Sequence, residues 1–284
     1  MSHINWNINP EIVNIFGISI RYYGVLFGAG VLLCLYILRW IFENENIPSE
    51  KGEKLPLYLM IGALAGARLG HTLFYQASYY LSNPLEIFLP IQRTIEGGYR
   101  FSGFQGLASH GGAIGLIIAF IIYSKKAKLP MVRTMDLIAI VAPLGAFFVR
   151  LGNLMNSEIV GLPTSVPWAF VFQRNDSIPR HPAQLYEATA YLFTFLVLLF
   201  LYKAKKHTLK NGFYFGLSMI MIFIARFFIE FVKERHVAFE EHLALSMGQL
   251  LSIPFVLLGI GFIVFGYFGD KKLLSSKGDG LKEG

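Results

Sequence analysis

Charged side chains are scarce in this sequence: 15% of its 284 residues are Asp, Glu, Lys or Arg, while 54% are hydrophobic. A soluble globular domain carries about 25% charged residues. A chain of this length with so few would expose a large apolar surface to water. The scarcity of charge therefore excludes an ordinary soluble domain and indicates a protein that folds in a lipid bilayer.

Cysteine is almost missing as well. Cys34 is the single cysteine, which excludes an internal disulfide and a CxxC redox or metal site. The first seventeen residues contain no Lys or Arg, so the cationic start of a cleavable signal peptide is missing and we expect the first helix to be retained. No His/Glu pair has metalloprotease spacing and no serine lies in GxSxG, so metal and serine-hydrolase chemistry lose support.

Long apolar runs, in contrast, recur along the whole chain. A helix needs about 20 residues to cross a hydrocarbon core about 30 Å thick, and these runs lack the two-residue alternation of a barrel strand. They predict an all-α polytopic membrane protein with about seven transmembrane helices in one domain, residues 1–269, followed by a basic tail, residues 270–284. The predicted spans are Ile18–Ile41, Leu55–Tyr75, Gly106–Tyr123, Met135–Met155, Leu185–Tyr202, Gly212–Val232 and Met247–Phe268.

Lysine and arginine are unevenly distributed between the two sets of loops. Fifteen lie in the tail and in the loops after the first, third and fifth predicted helices, against six on the opposite side. Because positive residues favour the cytoplasmic side, the N-terminus is predicted outside and the C-terminus in the cytoplasm. The extracytoplasmic loops are the longer ones, and two of them, Gly97–Gly106 and Leu162–Pro182, are expected to cover an outward-facing site. Basic residues spread over many loops argue against a nucleic-acid partner.

Four arginines remain outside this count: Arg21 at the outer edge of the first helix, and Arg68, Arg150 and Arg226 inside predicted spans. An arginine at the centre of a spanning helix costs about 2.5–3.5 kcal/mol, so such residues usually face the protein interior and mark a functional path. Guanidinium groups bind phosphate oxygens through two parallel hydrogen bonds. We therefore expect the four arginines to meet in one pocket at the depth of the outer headgroups and to bind an anionic lipid.

Structural pairing is the alternative explanation for these arginines. Glu230 follows Arg226 by four residues, a spacing that places both on one helix face and predicts an ion pair. Arg68 has no acidic residue within one turn, and Arg150 has none before Glu158. An ion pair with Glu230 is thus an open alternative role for Arg226, whereas local pairing does not explain the other two.

Polar side chains surround these arginines in the sequence. The string from Arg150 to Gly161 contains Asn153, Asn156 and Glu158, with helix-end capping as the alternative role of its asparagines. His110, between Ser109 and two glycines, is a candidate base because its pKa near 6.5 suits proton transfer, or else a structural or capping residue. The fifth helix opens with His181, Gln184, Tyr186 and Glu187, more polar groups than a cap requires, and the first helix supplies Tyr23.

Taken together, these motifs resemble the bacterial prolipoprotein diacylglyceryl transferase family over nearly the whole chain. They occur in family order on the predicted outer side. The motifs are Ser109-His-Gly-Gly, Arg150-x-Gly-Asn153-x-x-Asn156-x-Glu158-x-x-Gly161, His181-Pro-x-Gln-Leu-Tyr-Glu187, Arg226-x-x-x-Glu230-Phe and Ser246-Met-Gly-Gln249.

The resemblance implies a multi-pass enzyme of the bacterial inner membrane, with residues 1–269 as its catalytic domain and no cofactor. The substrates implied are phosphatidylglycerol and the lipobox cysteine of a preprolipoprotein signal peptide, joined as a thioether with release of glycerol phosphate. The implied catalytic residues are His110, Arg150, Arg226, Glu230 and Tyr23. The implied substrate-binding residues are Arg150, Arg226, Asn153, Asn156, Glu158, Gly161, Arg68, His181, Gln184, Tyr186 and Glu187.

Two positions depart from the family pattern. Ile222 stands where the family often has a tyrosine one turn before the arginine of the sixth helix, and Val149 stands where glycine usually precedes Arg150. A transporter or flippase of an anionic lipid or solute is the second hypothesis, because intramembrane arginines also line transport paths. A transporter should also carry polar groups through the inner leaflet and show internal repeats, and neither is found. A receptor or scaffold would leave the four arginines without a role.

Overall fold

The computed structural model describes residues 3–15, 18–89, 91–94, 97–101, 106–205, 208–234 and 245–279. Residues 102–105 of one predicted outer loop and residues 280–284 of the tail lie outside the described residues. The described ranges contain the helices α1 Tyr22–Asn44, α2 Ser49–Phe74, α3 Ala77–Ser82, α4 Leu85–Phe88, α5 Ser109–Ala127, α6 Met131–Met155, α7 Ala183–Lys205, α8 Phe213–Ile229 and α9 Met247–Asp279, with a 3-10 turn at Glu230–Val232.

Six of the described helices, α1, α2, α6, α7, α9, and α8 together with its 3-10 turn, are long and apolar enough to cross a membrane, with mean hydropathies from 1.3 to 2.3. The prediction of an all-α polytopic membrane protein is therefore confirmed. The third predicted span, Gly106–Tyr123, forms α5, whose 19 residues begin with Ser109 and His110 and end near Lys125 and Lys126. These polar ends shorten its apolar stretch, so the number of spans and their orientation stay predictions.

The start of the first predicted span is wrong. Residues Ile18–Arg21 form a β-strand that pairs antiparallel with Glu11–Ile15, and α1 begins at Tyr22. Ile18 and Ile20 extend the apolar run of the first helix, but β-branched residues such as isoleucine also favour strands. Continuous hydrophobicity alone does not distinguish the two.

Within the described ranges, short strands also form three small sheets that the sequence did not predict. A parallel and antiparallel sheet joins β1 Ile4–Trp6, β6 Phe170–Phe172 and β7 Pro179–Arg180 in the order β1-β6-β7, and two hairpins join β2 Glu11–Ile15 to β3 Ile18–Arg21 and β4 Ile91–Arg93 to β5 Tyr99–Phe101. Each strand has at most five residues, too short for a periodic signal.

The chain divides into two compact units, residues 1–38 with 132–284, and residues 39–131. In the second unit α2 packs on α5 through small residues. A Cβ added to Gly70 would lie 2.8 Å from the Gly111 Cα, and one added to Gly66 would lie 2.7 Å from the Gly115 Cα. Glycines at four-residue spacing let two membrane helices approach at backbone distance, which explains the glycine-rich sequence of both helices.

In the first unit, a small core fixes the end of α6. The indole Nε1 of Trp6 donates to the Leu154 carbonyl over 3.0 Å, which attaches β1 to the last turn of this helix. The buried side chains of this core are Leu154, Val160, Phe170 and Phe172, packed against Trp6 and Leu185. The core thus holds the residues that follow Arg150 against the β1-β6-β7 sheet.

A buried carboxylate fixes the start of α8. Asp136 of α6 accepts hydrogen bonds from the backbone N–H groups of Gly212, over 2.7 Å, and Phe215, over 2.8 Å. These N–H groups lie at the start of α8, where backbone N–H groups have no carbonyl acceptor within their own helix. Asp136 therefore acts as a cap supplied by another helix, and it anchors the helix that carries Arg226.

Candidate active site

The end of α6 carries a chain of hydrogen-bonded polar side chains. Arg150 Nη1 donates to Asn153 Oδ1 over 3.2 Å, and Asn153 Nδ2 donates to Glu158 Oε2 over 3.1 Å. Asn156 Nδ2 donates to the other oxygen of Glu158 over 3.0 Å. The two asparagine amide groups thus bind the Glu158 carboxylate, and one of them also positions Arg150. Helix-end capping does not account for these contacts.

The backbone around Glu158 is strained. Ser157 and Ile159 have φ angles of 57° and 59°, a left-handed conformation that is rare for a β-branched residue and costs about 1–3 kcal/mol for a non-glycine residue. Neighbours hold it in place: Asn175 Nδ2 donates to the Ser157 carbonyl over 2.9 Å, and Gln184 Nε2 donates to the Glu158 carbonyl over 2.5 Å. The strained segment keeps the Glu158 carboxylate beside both asparagines.

Helix α7 presents one polar face to the interior of this unit. Gln184, Glu187 and Tyr191 are separated by three and four residues, which places them on one face, and all three are buried. His181 and Tyr186 pair with each other instead: the Tyr186 hydroxyl lies 3.1 Å from His181 Nδ1 and accepts a 2.8 Å hydrogen bond from Trp168. Burial lowers the pKa of His181, so its ring is neutral near pH 7.

The buried carboxylate of Glu187 joins two cations. Its side chain is 0% exposed; Arg150 Nε lies 2.7 Å from Oε2, and Lys233 Nζ lies 3.4 Å from Oε1. Arg150 therefore has an acidic partner, but it comes from another helix, 37 residues later in the chain. A sequence pattern that covers one or two helical turns does not reveal this pair.

Lys233 also belongs to this group of charges around Glu187. The sequence did not predict this role, because Lys233 lies among the six Lys and Arg residues of the predicted outer loops. The residue is 8% exposed, and its Nζ also lies 3.7 Å from Glu230 Oε2. A backbone bridge to Gly161 positions it. A Cβ added to Gly161 would lie 2.6 Å from the Val232 carbonyl oxygen and from the His181 Cβ. Only glycine allows the Lys233 segment to approach this closely.

Arg226 lies in the last turn of α8 and is half-buried. Its predicted ion pair with Glu230 is not found, and no side chain among the described residues forms a hydrogen bond or ion pair with its guanidinium. The Tyr191 hydroxyl interacts electrostatically with Arg226 and by a hydrogen bond with Arg150. Arg150 and Arg226 thus both interact with Tyr191. The charge of Arg226 has no counterion in the described part of the chain.

Two further groups complete the site in this unit. The ring of Tyr23 packs closely against Gly152 of α6: a Cβ added to this glycine would lie 2.7 Å from Tyr23 Cδ2. The Ser246–Gln249 motif is a capping box at the start of α9: the Ser246 N–H donates to Gln249 Oε1 over 3.0 Å, and the Gln249 N–H donates to Ser246 Oγ over 3.3 Å. Gln249 Nε2 also donates to the Phe227 carbonyl over 3.3 Å, which attaches α9 to α8 beside Arg226.

Arg68 and His110 belong to the unit formed by residues 39–131. Arg68 is buried, with hydrogen bonds to the carbonyls of Ile87 (3.2 Å) and Glu86 and its guanidinium 4.8 Å from the centre of the Tyr80 ring. These contacts give Arg68 a structural role within its unit. His110 is exposed at the start of α5, where Ala108 occupies the N-cap position, so its ring is not the cap of this helix.

The meeting of all four arginines in one pocket therefore stays a prediction. Arg150 and Arg226 lie together, Arg21 is exposed where β3 meets α1, and Arg68 is bound within the other unit. In the described part of the first unit, Arg226 nevertheless lies in this site without a carboxylate partner. Such a site favours an anion with several oxygen acceptors.

Comparison with known proteins gives one family. The family model described as prolipoprotein diacylglyceryl transferase matches residues 10–265. A phosphatidylglycerol–prolipoprotein diacylglyceryl transferase of Bacteroides fragilis is 52% identical over 95% of this chain and 96% of its own length. Proteins of the same name from Tolumonas auensis and Chloroherpeton thalassium are 41% and 40% identical, over 90% and 91% of this chain and 94% and 92% of their own lengths.

Proposed function

Because this chain belongs to the prolipoprotein diacylglyceryl transferase family, we propose that it transfers the diacylglyceryl group of phosphatidylglycerol to the lipobox cysteine of preprolipoproteins. The product is a thioether on the cysteine, and glycerol phosphate is released, as the first step of bacterial lipoprotein maturation. The match over residues 10–265 and the relatives at up to 52% identity support this function.

The headgroup of phosphatidylglycerol binds at the Arg150 and Arg226 cluster. The observation that carries this assignment is the half-buried guanidinium of Arg226, which lacks a counterion among the described residues. A buried cation without a partner is unfavourable unless a ligand supplies the charge. A phosphodiester meets this requirement with two oxygen atoms in the geometry of a guanidinium fork.

The reaction breaks the bond between the glyceryl carbon and a phosphate oxygen. The cysteine sulfur bonds to that carbon, the electron pair of the broken bond leaves on glycerol phosphate, and the thiol proton passes to a base. Negative charge grows on the departing phosphate, so fixed guanidinium groups stabilise the transition state more than the bound lipid. Asn153 and Glu187 hold Arg150 in position for this role.

The remaining predicted residues support the substrate site. Glu158, Asn156 and Gln184 fix the strained segment after α6, and Gly161 allows the close approach of the residues around Lys233. Tyr23 and Glu230 border the cluster through contacts with Gly152 and Gly248. His181 and Tyr186 form a separate pair with Trp168 and keep their proposed role in substrate binding.

The enzyme resides in the bacterial inner membrane with its N-terminus outside and residues 270–284 in the cytoplasm. Fifteen Lys and Arg residues on one side against six on the other support this orientation. Residues 1–269 are the catalytic domain. Its partners are phosphatidylglycerol and the signal peptide of a preprolipoprotein, which reaches the outer leaflet as a membrane segment.

Purified protein in detergent is expected to add a diacylglyceryl mass to the cysteine of a lipobox peptide when phosphatidylglycerol is present, as measured by mass spectrometry. A peptide with serine at the lipobox position should stay unmodified, because a hydroxyl is a far weaker nucleophile at neutral pH than a thiol. Movement of labelled phosphatidylglycerol across vesicles without modification of the thiol would instead favour the transporter hypothesis.

His110 is proposed as the base that accepts the thiol proton. A cysteine thiol has a pKa of about 8.5, so only a small fraction is thiolate at pH 7. The variant His110→Gln should lower kcat at pH 7 by about 10²-fold, a magnitude typical of general-base catalysis, and should recover activity as the pH rises towards 9 and the thiol ionises unaided. His71→Gln, at a histidine of α2 in the same unit whose ring stacks on Tyr75, is the control and should keep the wild-type pH–rate profile. A pH–rate profile of His110→Gln equal to that of the wild type would remove this role.

A further inference from the structure

Five ionisable side chains form the buried cluster of the first unit. Three are positive, Arg150, Arg226 and Lys233, and two are negative, Glu187 and Glu230. These five described groups carry one more positive than negative charge; the exposed Glu158, which reaches Arg150 only through Asn153, is not counted among them. The distances show which cation has no partner. Glu187 contacts Arg150 and Lys233, Glu230 contacts Lys233, and Arg226 has no ion-pair partner among the described residues.

This distribution differs from the one that the α8 sequence favours. Arg226 and Glu230 are four residues apart, the spacing at which opposite charges on a helix pair with each other. In the structure the helix ends at Ile229, and Glu230 begins a 3-10 turn. The Glu230 carboxylate rests on Gly248 of α9, where there is no side chain to displace it, with Oε2 3.7 Å from Lys233 Nζ. The carboxylate that would neutralise Arg226 is held by another cation.

We propose that Lys233 is a positioning residue, which holds Glu230 away from Arg226 and so keeps the Arg226 guanidinium available for the phosphate of the lipid. This inference rests on the proposed headgroup site. With Lys233 removed, two arginines face two carboxylates, and Arg226 can pair with Glu230. The lipid phosphate must then break that ion pair before it binds.

The backbone around Lys233 gives this role its geometry. Lys233 forms a bridge with Gly161, and the Leu162 N–H donates to the Val232 carbonyl over 2.8 Å. The Lys233 ammonium is further fixed by Glu187, which is fully buried between Lys233 and Arg150. Lys233 is therefore anchored by Gly161 and Glu187, independently of Glu230, and can fix the position of the Glu230 carboxylate.

The variant Lys233→Met tests this proposal, since methionine keeps most of the length and removes the charge. Binding of a short-chain phosphatidylglycerol to detergent-solubilised protein, measured by calorimetry, should weaken about tenfold or more, the effect of losing access to one charge-assisted hydrogen bond. In the transfer assay the KM for this lipid should rise while kcat changes less, because saturating lipid displaces Glu230. Lys233→Arg should restore both values, and Lys205→Met, at an exposed lysine of the same unit, should change neither.

The double variant Lys233→Met with Glu230→Gln separates positioning from mere packing. It removes the competing carboxylate together with the lysine, so lipid affinity should return to within about twofold of the wild type even if Glu230 also contributes to kcat. Equal loss of affinity in the single and double variants would overturn the positioning role, as would wild-type affinity in Lys233→Met. Wild-type affinity in Arg226→Ala would instead refute the headgroup site itself, whatever the lysine variants show.

Discussion

Replacing Arg226 by alanine is expected to lower kcat for diacylglyceryl transfer by about 10²–10³-fold, the usual effect of removing one donor that stabilises developing negative charge. The thermal midpoint of the protein should change little, because Arg226 forms no hydrogen bond or ion pair with another side chain in the described part of the chain. Transfer of labelled lipid to a lipobox peptide measures the first quantity, and thermal unfolding in detergent measures the second.

Two variants sharpen the interpretation of this result. Arg226→Lys keeps the positive charge but loses the two parallel donors of the guanidinium, so its activity should lie between those of the wild type and the alanine variant. Arg93→Ala, at an exposed arginine of the other unit, should retain full activity. If Arg226→Ala instead lowers the thermal midpoint strongly as well as the transfer activity, this arginine stabilises the fold rather than binds the phosphate.

The transmembrane helices were predictable because the bilayer itself sets their length. A continuous apolar run of about 20 residues has few structures open to it in lipid, and each predicted span overlaps one described helix. The error at Ile18–Arg21 arose because its two isoleucines were joined to the apolar run of the first helix. The alternation of isoleucine with Ser19 and Arg21 is only four residues long, too short to establish a strand pattern, and the strand forms by pairing with Glu11–Ile15.

The polar strings were found for a different reason. Amides and charges beside a predicted membrane boundary are unexpected, so Arg150, Asn153, Asn156 and Glu158 stood out in the sequence. The contacts between them span only a few residues and follow from that local string. Their strained backbone at Ile159 was not predicted, because the conformation is imposed by Gln184 and Asn175 from distant parts of the chain.

The ion pairs of the cluster could not be predicted from one sequence. Glu187 lies 37 residues after Arg150, and Lys233 lies 46 residues after Glu187, and no periodic pattern connects such positions. The i,i+4 rule even favoured the wrong pair, Arg226 with Glu230, because it considers only neighbours on one helix. The Glu230 carboxylate instead contacts Lys233 and rests on Gly248 of α9, neither of which the rule includes.

Glu187 should be the residue of the cluster whose loss most affects the fold. In Glu187→Gln, Arg150 and Lys233 keep their charges while the carboxylate between them disappears, and an uncompensated buried charge destabilises a protein by about 3–5 kcal/mol. We expect a clearly lower thermal midpoint and a lower yield of folded protein in detergent. Transfer activity should fall as well, because Arg150 loses the group that orients its Nε.

A second substitution tests whether charge is the cause. In Glu187→Gln with Lys233→Met one of the two cations that Glu187 had paired with is also removed, and Glu230, the other partner of Lys233, becomes available to Arg226. Part of the lost stability should therefore return although two native side chains are now missing. If the double variant is instead less stable than Glu187→Gln alone, packing and not charge balance explains the buried carboxylate. Arg226→Ala and Glu187→Gln are thus expected to differ in kind: the first loses activity with its fold intact, and the second loses activity because the fold around Arg150 fails. This difference follows from one structural fact, that Glu187 has two cations within 3.4 Å while Arg226 has no carboxylate among the described residues.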